Sequence, residues 1–160
     1  MNSLNQSGLG TKLRLLLAKL DGELIELYKL DGTAFRPRFY PVFQLLLQSE
    51  QATVGEVGNA LQATQPAATQ TLQQMARLDF ISWKRSDDGR ERIVALSPHG
   101  ISTANKLMPT WQAVSAAATD LDRELSFPLG SLLDEAIEAL NHKGFADRVG
   151  DQLAAKRKSR

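Results

Sequence analysis

Six polar side chains recur on one side of the run QPAATQTLQQMARL: Gln65, Thr69, Gln70, Gln73, Gln74 and Arg77. Spacings of three and four put them on one helix face. A solvated helix face is ordinarily rich in Lys and Glu, whereas this one is nearly uncharged and built of amides and hydroxyls. Glutamine can bond bidentately to an adenine edge, and threonine offers its methyl and hydroxyl to thymine or phosphate. The plain alternative is a polar surface helix with a glutamine bias. A second cluster follows, Arg85, Arg90 and Arg92, with Asp87-Asp88-Gly89 between. Arginine on a loop beside such a helix suits phosphate or minor-groove contact, and Asp88 could pair with Arg90 to fix its direction. An ordinary solvated turn is the competing explanation.

The surrounding residues say what must hold these groups in place. Thr53 and Glu56 form a capping box that opens a helix with Val54, Val57 and Leu61 on its apolar face. Thr64 caps the next helix, and Pro66 sits in its first turn, where the missing N–H costs nothing. Ala68, Leu72, Met75 and Phe80 point inward. Residues 80–84 and 92–96 are β-formers flanking an Asp-Asp-Gly turn, which predicts a hairpin. The whole stretch from Thr53 to Leu96 therefore predicts a winged helix-turn-helix, with the helix from Gln65 to about Leu78 as its reading element.

Upstream, Met1 to Gly10 is expected to be loose. Thr11 is placed to cap a helix in which Leu13, Leu16, Leu17, Leu20, Leu24, Leu27 and Tyr28 recur at helical spacing as far as Asp31-Gly32. Leu15, Ile25 and Leu30 widen its apolar sector, which asks for a second neighbour, assigned here to a partner subunit. Two prolines four apart in FRPRFYP predict an irregular start near Pro37 and a regular helix from Pro41 through Leu47. Downstream of the hairpin, Ser97-Pro98 opens a long helix that Pro109 is expected to bend. Leu129 to Leu140 forms a further amphipathic helix closed by Lys143-Gly144. The tail beyond carries Lys156, Arg157, Lys158 and Arg160 and is expected to be solvated and possibly disordered.

The order of elements, together with ATQPAATQTLQQM, DDGRERIVALSPHG and FRPRFYPVFQLL, resembles the MarR family of bacterial transcription regulators over roughly Leu9 to Leu121. The resemblance implies a mainly α fold with a small β-hairpin wing. Residues 1–34 and 98–145 would form the dimerisation helices, 35–97 the DNA-binding lobe, and 146–160 a basic tail. It places Ala68-Thr69-Gln70 at the family's recognition signature, and Asp88 and Arg90 at its wing-tip acid and groove-inserting arginine. Gln70 stands where arginine is common, and Gln62 and Asp79 stand where glycine is usual, which asks both to take an unusual backbone or a shifted turn. The implied function is a homodimeric regulator, usually a repressor, on a pseudo-palindromic operator in double-stranded DNA. Its expected DNA contacts are Thr64, Gln65, Thr69, Gln70, Gln73, Arg77, Arg85, Asp88, Arg90 and Arg92. The family's small aromatic effectors bind near a cluster that corresponds here to Tyr28, Phe35, Arg36, Phe39 and Tyr40, although aromatic clusters are most often plain core.

Composition bounds the alternatives. A chain of 160 residues with 42% apolar content suits one compact domain or a small one with arms. Its formal charge of +1 gives no global attraction to nucleic acid, so affinity must come from local clusters. No cysteine is present, which excludes disulfides, thiolate metal sites and thiol redox switches. His99 and His142 are expected at the surface or in caps, with no metal and no cofactor. No stretch reaches the roughly 20 apolar residues of a membrane helix, and the first eleven residues lack a signal peptide's pattern, so a cytoplasmic location is expected. Ser97 beside His99 is the nearest approach to a nucleophile and base, and capping explains both, so an enzyme is not expected. The remaining rival is a winged-helix protein-interaction module, which has little use for three arginines on a hairpin.

Overall fold

The computed structural model describes residues 8–86, 89 and 91–158. Its elements are α1 (Leu9–Leu30), a 3-10 turn (Pro37–Phe39), α2 (Tyr40–Ser49), β1 (Gln51–Thr53), α3 (Val54–Leu61), α4 (Gln65–Arg77), β2 (Ile81–Arg85), β3 (Arg92–Leu96), α5 (Pro98–Glu124), α6 (Leu129–His142) and α7 (Phe145–Lys158). The fold is mainly α with a three-stranded antiparallel sheet in the order β1-β3-β2. Contacts divide the chain into two compact units, Met1–Met108 and Pro109–Arg160. The division falls inside α5 at Pro109, the residue that has no amide hydrogen to give to the helix.

In the first unit the core is a knot of rings. Phe35 lies 4.9 Å from Tyr28, 5.1 Å from Phe43 and 5.9 Å from Phe39, each edge-to-face. Phe80 closes the cluster at 5.6 Å from Phe43 and 6.1 Å from Phe39. Val42, Leu46, Val57, Leu72, Met75, Val94 and Leu107 fill the space around it, and all are buried. Edge-to-face pairs add roughly 0.5–1.5 kcal/mol each beyond the area they bury. The prolines of FRPRFYP behave as their chemistry requires: Pro37 opens the 3-10 turn and Pro41 sits in the first turn of α2.

Three local expectations are corrected. Helix α1 begins at Leu9 rather than at Thr11, because the Gly8 carbonyl accepts the amides of Thr11 (2.9 Å) and Lys12 (3.1 Å) and so extends the helix upstream. A third strand, β1, pairs with β3 through Gln51↔Ala95 and Thr53↔Ile93. Residues 145–158, expected to be loose, form α7, whose Phe145, Val149 and Leu153 recur every four residues.

Close packing joins the end of α4 to the start of α5. The Ser97 hydroxyl accepts the Gly100 amide at 2.9 Å and donates to the Asp79 carbonyl, while the Ser97 amide donates to the Phe80 carbonyl at 3.0 Å. A Cβ on Gly100 would stand 2.0 Å from that Phe80 oxygen, so only glycine fits. His99 stacks on the Phe80 ring at 5.6 Å, which gives this histidine a packing role.

Candidate nucleic-acid interface

The reading helix is placed by two caps and two left-handed residues. The Thr53 hydroxyl accepts the Glu56 amide (3.2 Å), and the Glu56 carboxylate accepts the Thr53 amide (2.7 Å), as the capping box requires. The Thr53 amide, and then the Thr53 hydroxyl, hold the Glu56 carboxyl below its ordinary range, against a small opposing effect of burial. Gln62 takes φ 49° at the end of α3, and Ala63 then donates to the Gly58 carbonyl at 2.9 Å. Thr64 caps α4 by accepting the Ala67 amide at 3.4 Å, with Pro66 in the first turn. At the other end Asp79 takes φ 56°, and Phe80 donates to the Met75 carbonyl at 2.9 Å, a Schellman closure made without glycine. Gln62 and Asp79 thus both take left-handed backbone, the first of the two outcomes expected of them.

Ala68, Leu72 and Met75 are fully buried, and this fixes the rotation of α4. At 100° per residue the opposite ridge runs through Pro66, Gln70, Gln73 and Arg77, and all four are exposed. Gln65 is also exposed, whereas Thr69 is half-buried at the flank. The helix contains no acidic residue, and Arg77 is its one charge. Gln74 departs from the expected outward set: it is half-buried and accepts a hydrogen bond from Arg38 of the 3-10 turn. Arg36, Arg38, Phe39, Gln74, Arg77 and Leu78 together line a shallow depression at this end of α4.

The expected hairpin is present, with Ile81↔Leu96, Trp83↔Val94 and Arg85↔Arg92 as Cα partners. Its turn is held by the Ser86 amide on the Glu91 carbonyl (2.9 Å) and by the Gly89 amide on the Ser86 carbonyl (2.8 Å), with Gly89 at φ 70°. Arg85 and Arg92 are exposed and stand opposite each other on the last rung. Asp88 and Arg90 lie outside the described residues. Trp83, which the sequence did not single out, carries the Arg92 guanidinium 4.1 Å from its ring centroid. The hairpin register puts Trp83 and Arg92 diagonally across one face, a neighbourhood that spacing along a single strand does not show.

The five residues expected to surround a small aromatic ligand separate into two groups. Tyr28, Phe35 and Phe39 are buried and packed on one another. Arg36 and Tyr40 are exposed. Among the described residues, no helix is long and apolar enough to cross a membrane.

Scanned against protein-family models the sequence matches none, and compared with curated proteins it also matches none. Its fold, however, is found among solved structures. The M. tuberculosis transcriptional regulator MOSR, in a structure with DNA, superposes with a TM-score of 0.68 at 14% identity, covering 86% of this chain and 97% of that one. A MarR family transcriptional regulator from Silicibacter pomeroyi gives 0.64 at 15% identity, covering 87% and 99%. A MarR family regulator from Neisseria meningitidis gives 0.57 at 16% identity and covers 98% and 99%. Near-complete coverage in both directions means that the flanking helices are shared along with the winged lobe. This chain therefore has the winged-helix fold of the MarR family of transcriptional regulators.

Proposed function

We propose that the protein is a homodimeric, sequence-specific DNA-binding transcription regulator, acting in the cytoplasm as a repressor. The observation that carries this is the exposed, acid-free ridge Gln70–Gln73–Arg77 of α4, beside a wing whose last rung is a pair of exposed arginines. Amides address base edges without the desolvation cost of a full charge, and the arginines supply the phosphate attraction that a net charge of +1 cannot. Gln65, Gln70, Gln73 and Arg77 are assigned to the major groove, with Thr64 and Thr69 at its margin. Arg85 and Arg92 are assigned to the backbone, and Arg90, with Asp88 to direct it, to the minor groove. That MOSR is seen with DNA in this fold supports the assignment.

Support for the dimer comes from the helices flanking the lobe. Only Tyr28 is buried among the 22 residues of α1, and no residue of α6 is buried, although both helices are leucine-rich. Apolar faces of that extent mark surfaces that another chain covers. A two-fold dimer presents two α4 helices to half-sites about 10 base pairs apart.

A mobility-shift titration of the full chain tests this, using the DNA upstream of its own gene and a scrambled duplex at two salt concentrations. Tighter binding to the upstream duplex, with both affinities falling as salt rises, is the expected result. Equal affinity for the two duplexes would remove sequence-specific regulation.

A further inference from the structure

The root of the wing contains an arrangement that the assignment of its arginines to the DNA backbone does not explain. Arg85 and Arg92 are direct Cα partners in an antiparallel ladder, which puts two like charges on one face at the closest cross-strand distance. Such a pairing of like charges is unfavourable. Among the described residues neither arginine has a carboxylate partner within ion-pair distance. Trp83 lies on the same face, diagonal to Arg92, and its ring carries the Arg92 guanidinium at 4.1 Å. Among the described residues, the lining of this open depression of about 620 Å³ includes Lys84, Arg85 and Arg92 as cations and Glu91 as a carboxylate.

A guanidinium stacked on an aromatic face keeps every N–H donor in its own plane, free at the edge, while the ring removes most of its rotational freedom. Two guanidinium groups held side by side with their edges free match the oxygens of one phosphate, and an anion between them cancels their repulsion. We infer that Trp83 is a positioning residue: it fixes Arg92 so that Arg92 and Arg85 close as a two-arginine clamp on one backbone phosphate at the root of the wing. The inference rests on the DNA-binding reading above and adds to it a sequence-independent anchor at a defined rung. The anchor explains why a half-buried tryptophan stands next to exposed arginines.

The test uses the full chain and a duplex of mixed sequence, because a phosphate contact needs no operator. Trp83→Leu should weaken binding roughly three- to tenfold and make the slope of log affinity against log salt shallower by up to about one. Arg92→Ala should do the same. The double variant should bind no more weakly than either single one, since both remove the same contact. Trp83→Tyr, which keeps a ring, should recover most of the affinity and the slope, and unchanged circular dichroism of each variant excludes unfolding. If the wild type binds while Trp83→Leu binds equally well with the same slope, or if the two single losses simply add, the clamp is overturned and DNA binding stands. A wild type without affinity for any duplex would overturn both.

Discussion

The lobe around α4 and the helix pair α6–α7 are written in the same kind of sequence, with apolar residues every three or four positions and polar ones between. They end in opposite states. In the lobe the inward stripe Ala68, Leu72 and Met75 is fully buried, as are the rings of Phe35, Phe43 and Phe80. On α6 and α7 the equivalent stripes stay exposed: Leu132, Leu133, Ile137 and Leu140 on one, Phe145, Val149 and Leu153 on the other. Where the two helices meet, Arg148 donates to the Ala139 and Lys143 carbonyls at the end of α6, and Lys143 pairs with Asp151. Periodicity thus says that a face is apolar. Whether that face is core or interface depends on what the rest of the chain can bring to it.

Truncation at matched positions should break this comparison most visibly. Phe35→Ala removes the ring at the centre of the knot and should cost about 3–5 kcal/mol in urea unfolding. Ile137→Asp places a charge on the exposed face of α6. It should leave the unfolding of the lobe nearly unchanged while shifting sedimentation from dimer toward monomer. A variant that unfolds the lobe without dissociating would mean that this face is not an interface.

A smaller effect sharpens the comparison within the lobe. Gln62 and Asp79 hold left-handed backbone at the two ends of the reading unit. Replacing either with glycine should stabilise the fold by roughly 0.5–1 kcal/mol, which is about 1–4 °C in thermal midpoint for a chain of this size. A fall in midpoint would show that these side chains contribute contacts outweighing the strain. The smallest effect concerns acid. Glu56 is held below its ordinary pKa of 4.5 by the Thr53 amide, so its contribution is full above that value and fades as pH falls through the lowered one. The stability gap between wild type and Glu56→Ala should therefore narrow below about pH 4.5 in denaturant titrations. A gap that stays constant to lower pH would detach the shift from folding.

Much of the lobe was legible because its signals are local. The Thr53 capping box, Thr64 with Pro66, the prolines of FRPRFYP and the pairing of the two hairpin strands each act within a few residues, and each appears where the residues put it. The outward position of Gln70, Gln73 and Arg77 followed from the inward position of Leu72 and Met75. Less was legible where partners lie far apart in sequence. Gln74 reads as outward-facing until Arg38, 36 residues away, is found against it. Gln51–Thr53 is too short to announce a strand and becomes one only because β3 offers it an edge. The ring contacts of Phe35 with Tyr28 and Phe39 join α1 to the turn before α2, a meeting that no local spacing announces.

The sequence by itself determined the helices, their caps, the hairpin and the chemistry available on each face, because those depend on backbone torsion and on spacings of two to four residues. Only the tertiary structure decided which apolar faces are covered, that Gln62 and Asp79 accept left-handed backbone, and that Trp83 carries Arg92. Those outcomes depend on which atoms meet across long stretches of chain, and no local pattern encodes that distance.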